Sequence, residues 1–91
     1  MATLIRVDGT REDVAPDNGK DFKRDQLYRL IDTDMVEIVR LDRSHILVID
    51  EEGKCKCKAI NHEATRLASR VLHPLDVIVG DAVLCYSREV R

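Results

Sequence analysis

Residues 35–72 decide the fold of this chain, and they read MVEIVRLDRSHILVIDEEGKCKCKAINHEATRLASRVL. Residues 35–41 are β-prone and divide into residues 36, 38 and 40 on one side and 35, 37, 39 and 41 on the other, which predicts a strand with one buried and one solvated face. Residues 45–50 are apolar almost without interruption, which predicts a strand covered on both faces and the central strand of a sheet. In residues 54–58 the alternation is strict, so Cys55 and Cys57 are predicted to face inward and the lysines outward. The stretch therefore predicts three consecutive strands joined by tight turns.

A helix is predicted directly after these strands. Asn61 is a good N-cap residue, and Glu63 places a carboxylate where the helix dipole favours it. Apolar side chains then recur at helical spacing up to Leu72. The helix is predicted to end at His73, because the residue before Pro74 avoids the α region.

The segments before this stretch predict a hairpin and a first helix. Residues 2–7 and 10–15 have strand character on either side of Asp8-Gly9, a pair that is typical of a two-residue hairpin turn. Residues 22–31 place Leu27, Leu30 and Ile31 on one face of a short helix.

Residues 77–86 are predicted to contain the last strand, with a turn or bulge at Gly80-Asp81, and residues 86–91 to be a flexible tail. The predicted order is ββαβββαβ. We therefore expect a single α+β domain over residues 1–91, with a mostly antiparallel sheet and both helices packed on one face.

Composition excludes several classes of function. The net charge of −2 argues against a general polyanion binder, and aromatic residues make up only 3 %, so the core must be aliphatic. No apolar run reaches the roughly 18 residues of a membrane span, and the N-terminal residues do not resemble a signal peptide. An odd number of cysteines, three, fits free thiols in a reducing cytoplasm.

Three motifs in order, with a similar approach to the first helix, point to a family. They are VIDEEG at residues 48–53, INHEAT at residues 60–65 and IVGDAVL at residues 78–84, and NGKDF at residues 18–22 accompanies them. Together they resemble the domain-of-unknown-function family 3846 over residues 8–85. The resemblance implies a small cytoplasmic protein of phages, plasmids and bacteria, without an established activity. The chain departs from the family pattern at its Cys-x-Cys pair.

The cysteines are the candidates for metal binding and for nucleophilic catalysis. Cys55 and Cys57, with His62 and either Cys85 or His73, have the residue types of zinc ligands, but Cys-x-Cys within a strand lacks the knuckle spacing of zinc sites. We therefore expect ordinary buried cysteines, no metal and no cofactor. Cys57 with His62 is the only pair that fits a thiol nucleophile and its base, and no third group at a recognisable spacing orients the histidine.

Two sets of polar residues are candidates for ligand binding. One set is the lysine row of the predicted third strand, which could bind an anion or a nucleic-acid backbone: Lys54, Lys56 and Lys58. The other lies around the start of the second helix and the turn before the last strand: Asn61, His62, Arg66 and Asp81. Outward lysines also protect an edge strand, and Asn61 has a structural role as a cap, so a role in the fold competes with binding at these positions.

These observations predict a non-catalytic binding or interaction module associated with a phage or mobile element. Its expected partner is a host protein or a small anionic ligand, with a homodimer through an edge strand as a further expectation. The alternatives are a small enzyme that uses Cys57 and His62, and a nucleic-acid-binding accessory protein that uses the lysine row. Contact with a membrane is not expected.

Overall fold

A computed structural model describes residues 2–90 of the chain. In chain order the elements are β1 (Ala2–Ile5), β2 (Arg11–Val14), α1 (Arg24–Ile31), β3 (Val36–Arg40), β4 (His45–Asp50), α2 (His62–Leu67) and β5 (Ala82–Tyr86). The strands form one antiparallel sheet in the order β2-β1-β5-β4-β3. The predicted α+β class and a hairpin at Asp8-Gly9 are confirmed. The two-residue turn is wrong: Arg6 pairs with Thr10, so the loop has three residues, and of the predicted pair only Gly9 has a positive φ (90°).

The two helices lie on opposite faces of the sheet, so the prediction that both pack on one face is wrong. On one face Leu27 of α1 belongs to a buried cluster with Ile46 and Val48 of β4. On the other face Leu47 of β4 packs in a cluster with Ala64 of α2. Because successive side chains of a strand point to opposite faces, the continuous apolar run of β4 needs a cover on each side. One helix per face supplies it.

The third strand of the predicted meander does not form. Residues 51–57 are consecutive turns, closed by local bonds such as the one from the N–H of Lys58 to the carbonyl of Gly53 (3.0 Å). Cys57 has a left-handed backbone with φ 57°, which a strand does not allow. Cys55 and Cys57 are therefore exposed rather than inward-facing, and the element order is ββαββαβ.

β5, and not β4, is the central strand. After α2 the chain returns and inserts β5 between β1 and β4, which joins the β1–β2 hairpin and the β3–β4 hairpin into one sheet. Val83 and Ala82 of β5 are both fully buried, as expected for a strand with neighbours on two sides and helices on two faces. The prediction that β4 is central is wrong because it placed residues 54–58 beside β4, where the structure places β5, a strand distant in sequence.

The end of α2 and the last residues of the chain also differ from the prediction. α2 ends at Leu67, six residues earlier than predicted, and Val71 beyond it is 49 % exposed. Residues 86–90 are packed rather than a tail: Tyr86 belongs to β5, Ser87–Glu89 form a 3₁₀ turn, and the carbonyl of Glu89 accepts a bond from Phe22 (2.6 Å). Arg91 lies outside the described residues. Within residues 2–90 there is no helix of the length and apolarity that crossing a membrane requires.

Asn61 is the N-cap of α2, as predicted, and it also joins α2 to the sheet. Its side-chain oxygen accepts from the N–H of Ala64 (3.0 Å), and its amide nitrogen donates to the carbonyls of Ile5 and Gly80 (2.9 Å each). The side chain is fully buried. These bonds leave Asn61 in the interior, between α2, β1 and the turn that leads into β5.

Two substitutions of Asn61 distinguish its role as the cap of α2 from its bonds to Ile5 and Gly80. We expect Asn61→Ala to lower the free energy of unfolding by about 3 kcal/mol, because the cap is lost and two buried carbonyls lose their donor. Asn61→Asp keeps an acceptor for the N–H of Ala64 but removes both donated bonds, so it should be nearly as destabilising. Urea melts of the two variants measure this. Wild-type stability of Asn61→Asp would mean that only the cap matters.

Candidate functional site

The three lysines of the predicted binding row lie in the chain that follows β4, residues 51–58, which we call the 51–58 segment. Each of them pairs with a nearby carboxylate. Lys54 pairs with Asp76, while the ammonium groups of Lys56 and Lys58 lie 3.2 Å and 2.7 Å from the same oxygen of Asp50. The structure thus removes the regular outward spacing on which the alternative of a nucleic-acid interface, expected to be the less favoured one, depended.

Asp50 is the centre of this network. Its side chain is fully enclosed at the end of β4, and its other oxygen accepts from the hydroxyl of Thr33 (2.8 Å) and the N–H of Glu52 (2.9 Å). Burial alone would raise the pKa of Asp50, but the hydrogen bonds from Lys58, Thr33, Glu52 and Lys56 outweigh it and hold the pKa well below its usual value. The carboxylate is therefore charged at neutral pH.

Lys58 connects this carboxylate to the end of α1. Its ammonium group also donates to the carbonyls of Ile31 (3.0 Å) and Asp32 (2.7 Å), which close the helix at its negative end. The three protons of Lys58 are thus matched by three oxygen atoms. This lysine holds the 51–58 segment against α1, and its protons are occupied.

An open cleft of about 850 Å³ lies beside the network, next to the end of α1. Lys56 lines it with one proton left over after its bonds to Asp50 and Thr33. The bond to Asp50 raises the pKa of Lys56, and the charges of Asp34 and Glu52 in the cleft wall raise it further. Arg29 also lines the cleft, but it pairs with Asp17 (2.9 Å). An anion entering the cleft would meet the carboxylates of Asp34 and Glu52, so the cleft is poorly suited to a small anionic ligand.

The second candidate set does not form one site. Asn61 is buried and occupied by the bonds described above, and Asp81 accepts a bond from the backbone N–H of Val7 (3.0 Å). Arg66 pairs with Glu63 (2.6 Å), which also pairs with Arg11 of β2. His62 is exposed on the first turn of α2.

The Arg66–Glu63–Arg11 ion pairs join α2 to an edge of the sheet. The bonds from Arg66 and then Arg11 lower the pKa of Glu63 to about 2. Because both arginines are largely exposed, this network is screened by solvent and adds little to stability.

The thiols do not form a catalytic or metal site in the described part of the chain. Cys57 and His62 are both exposed, and no hydrogen bond within residues 2–90 joins them. Those residues also contain no cluster of three or more side chains suited to hold a metal ion. Cys85 is buried, and burial, with a smaller effect of the Glu89 charge, raises the pKa of its thiol to about 12.

The feature that sequence reasoning missed is the contrast between the two edges of the sheet. β2, at one edge, exposes Arg11, Glu12 and Asp13, and charges of this kind guard an edge against pairing. β3, at the other edge, carries an exposed apolar residue at its midpoint: Ile38 is 41 % exposed. Its charged residues are Glu37 and Arg40.

The backbone of β3 directs alternate residues outward. The N–H of Leu41 bonds to the carbonyl of His45 (3.0 Å), and the N–H of Glu51 to the carbonyl of Met35 (3.0 Å), so the odd residues of the strand face β4. The N–H and C=O groups of Val36, Ile38 and Arg40 therefore point away from the sheet. Within residues 2–90 these six groups make no hydrogen bond in the structure.

A groove of about 420 Å³ runs between α1 and this edge. Leu27 and Tyr28 of α1 form one wall, and Val36 and Ile38 form the other. Val90 also lines the groove. Arg24 and Asp34 line it too, so the groove is mainly but not wholly apolar. Unpaired backbone groups and this groove are thus side by side, and we take the β3 edge as the candidate functional site.

The stability contributed by Asp50 depends on pH. Its folded-state pKa is below the unfolded value of about 3.9, so its contribution is complete above that pH and is lost as the pH falls through the folded-state pKa. We expect Asp50→Asn to lower the free energy of unfolding by about 2–4 kcal/mol at pH 7, because the half-buried Lys58 ammonium loses its counter-charge. Below pH 4 the difference from wild type should narrow.

Urea melts of Asp50→Asn and of Asp76→Asn between pH 7 and pH 2.5 measure this effect. Asp76 pairs with Lys54 at the surface, so its replacement should be much milder. Equal losses for the two variants would contradict the central role of Asp50.

Exposure predicts which thiols react. Cys55 and Cys57 should react rapidly with a thiol-specific disulfide reagent in the native protein, and Cys85 only after unfolding, because it is buried and its pKa is raised. Counting the released chromophore before and after adding denaturant should give two thiols and then a third. Slow reaction of all three thiols in the native protein would instead support the predicted strand in which Cys55 and Cys57 face inward.

Comparison of the chain with family models, with curated proteins and with solved structures finds no match. The resemblance of residues 8–85 to the domain-of-unknown-function family 3846 stays a prediction, together with the phage or mobile-element association that it implies. The function has to follow from the residues of this chain.

Proposed function

We propose that this chain is a non-catalytic interaction module that binds an extended segment of a partner protein as a sixth strand beside β3. The observation that carries the proposal is the row of six outward backbone groups on Val36, Ile38 and Arg40. Strand addition to an open sheet edge is a recurrent way of binding peptides, in which the main chain gives affinity and the alternate side chains give specificity.

The groove beside the edge supplies the specificity. Each backbone hydrogen bond contributes about 0.5–1.5 kcal/mol net, so the main chain alone gives modest affinity. Alternate side chains of an added strand would point toward the α1 side of the sheet, where Tyr28 and Leu27 form the wall of the groove. Apolar residues at every second position of the partner segment fit this surface.

A protein partner is better supported than a small anion. Lys58 has no proton to spare, and Lys56 shares the cleft with Asp34 and Glu52. A strand edge needs no charge complementarity of that kind, because every partner backbone carries the matching donors and acceptors.

Neither alternative function has a specific observation in its favour. Cys57 and His62 are not joined by a hydrogen bond within residues 2–90, and the lysines at 54, 56 and 58 all pair with carboxylates. A reducing cytoplasm, as expected from the sequence, is supported by the two exposed free thiols. A host protein as the partner stays a prediction made from the sequence.

A proline at position 38 tests the edge directly. The N–H of Ile38 points away from β4, so Ile38→Pro removes an outward donor and leaves the β3–β4 bonds in place. Peptides selected on the wild-type protein from a random display library should bind the variant at least about tenfold more weakly, a loss of ~1.4 kcal/mol. Fluorescence polarisation measures the affinity, and circular dichroism and thermal melts check the fold.

Asp13→Pro is the matched control at the other edge. Because the N–H of Arg6 bonds to the carbonyl of Thr10, the odd residues of β2 point outward, and Asp13 there corresponds to Ile38 in β3. This variant should bind the selected peptides like wild type. Selected peptides that bind Ile38→Pro undiminished, or that bind Asp13→Pro poorly, would place the binding surface elsewhere.

A further inference from the structure

We infer that the strand added beside β3 is the β3 of a second copy of this chain, in a two-fold symmetric dimer whose axis passes by Ile38. This inference rests on the proposed function, because it uses the same edge, and it names the partner. It follows from the self-complementarity of the strand in hydrogen bonding, in charge and in its apolar surface.

The hydrogen-bond pattern selects the register. In an antiparallel pair the outward residues of one strand must face outward residues of the other, so Val36, Ile38 and Arg40 must meet even-numbered residues. With the axis at Ile38, Ile38 faces Ile38 of the second copy, and Val36 faces Arg40 of the second copy in both directions. All six outward groups of each copy are then paired over the full five-residue strand.

The neighbouring registers are worse. An axis at Glu37 sets two glutamates directly opposite each other, which is unfavourable on a sheet. An axis at Val39 moves Val36 opposite Asp42, whose carboxylate is bonded to the N–H groups of Ser44 and His45 in the turn toward β4. The outward N–H and C=O groups of Val36 in each copy would then lack hydrogen-bond partners.

The charges agree with the register at Ile38. Glu37 lies opposite Val39 of the second copy, so no like charges face each other within the paired strands. Just beyond the strand ends Asp34 falls opposite Asp42 of the second copy, and Arg40 lies between them in sequence position on the same face. Arg40 has no ion pair within residues 2–90 of the monomer, and its diagonal neighbour is Asp34 of the second copy. Long side chains reach across such a diagonal, which spans about 7–8 Å between Cα atoms.

The apolar surface agrees as well. The axis runs perpendicular to the continuous sheet, so Ile38 and its counterpart lie side by side on the face that carries α1 in both copies. Each groove between α1 and β3 then adjoins the groove of the other copy, and Ile38 loses its exposure of 41 %. The strand is only about 17 Å long, so the dimer belongs to the small, reversible class of interfaces.

The assembly stops at two copies. Joining two five-stranded sheets through β3 leaves β2 at both outer edges, where Arg11, Glu12 and Asp13 are exposed. Charged edges resist further pairing, and an isologous contact closes on itself. The distribution of charge between the two edges of the monomer is the one that a closed dimer requires.

Sedimentation equilibrium tests the dimer on the full chain. Between about 10 μM and 1 mM, the wild type and Asp13→Pro should shift from the monomer mass to twice that mass, while Ile38→Pro should stay monomeric. A wild type that is monomeric throughout, or a dimer that survives Ile38→Pro, would overturn the inference.

A disulfide trap tests the register. In a Cys55→Ser, Cys57→Ser background, Ile38→Cys places two thiols across a hydrogen-bonded pair with Cα atoms about 5.5 Å apart, within the range of a disulfide. Diamide, which takes up the two electrons and two protons, should cross-link this variant efficiently. Arg40→Cys puts the thiols about 14 Å apart along the strands and should remain at least tenfold less cross-linked. Preferential cross-linking of Arg40→Cys would reject the register and the inference with it.

The two proposals fail in different ways. If the wild type stays monomeric but selected peptides still bind at β3, the second copy is wrong and the interaction module stands. If dimers form with the Ile38 cross-link and no external peptide is selected, the dimer stands and the proposal of a separate partner protein is wrong.

Discussion

The carboxylate of Asp50 is fully enclosed at the end of β4, and the rest of the structure has to bring cations to it. Lys58 and Lys56 do so, and they can reach it only if the chain after Asp50 turns back on itself. Since Lys58 also binds the carbonyls at the end of α1, the same turn fixes the helix to the sheet. A buried ion pair of this kind is weak as net stabilisation, because desolvation offsets much of the attraction. Its consequence lies in the path of the chain: the 51–58 segment is kept off the sheet, and the side of β4 away from β3 is left open for β5.

Elements that depend on neighbours in sequence were predictable. Asp8-Gly9, the cap at Asn61 and the apolar run of β4 each follow from local backbone preference or periodicity. The strand predicted at residues 54–58 failed because its period of two rested on cysteines and lysines, which gain little from a sheet once carboxylates are within reach. No local pattern announces that Asp50 is buried, since an acidic residue after a strand is ordinarily taken as part of an exposed turn.

The position of β5 was equally beyond local reasoning. Its residues are apolar enough to be a strand anywhere, and only the pairing with β1 and β4 places it at the centre. The same insertion explains why each helix covers a different face, because β4 and β5 both bury side chains in two layers. Asn61 then does more than cap a helix: its bonds to Ile5 and Gly80 hold the return of the chain beside β1. Several local predictions were therefore correct, but long-range strand pairing gives the chain a topology that differs from the predicted one.

The candidate site has no signature of residue types, and this explains why motif reasoning led to the lysines and to Cys57 instead. An edge strand binds through N–H and C=O groups that nearly every residue carries. Whether it can pair therefore depends on its position in the sheet and on how few charged side chains surround it. Ile38 in β3 and Asp13 in β2 occupy equivalent outward positions at the two edges, yet one exposes an aliphatic side chain and the other a carboxylate. That difference becomes meaningful only once both strands are known to be edges. The β3 edge is therefore proposed as the pairing site because an apolar residue, and not a charge, occupies its central outward position.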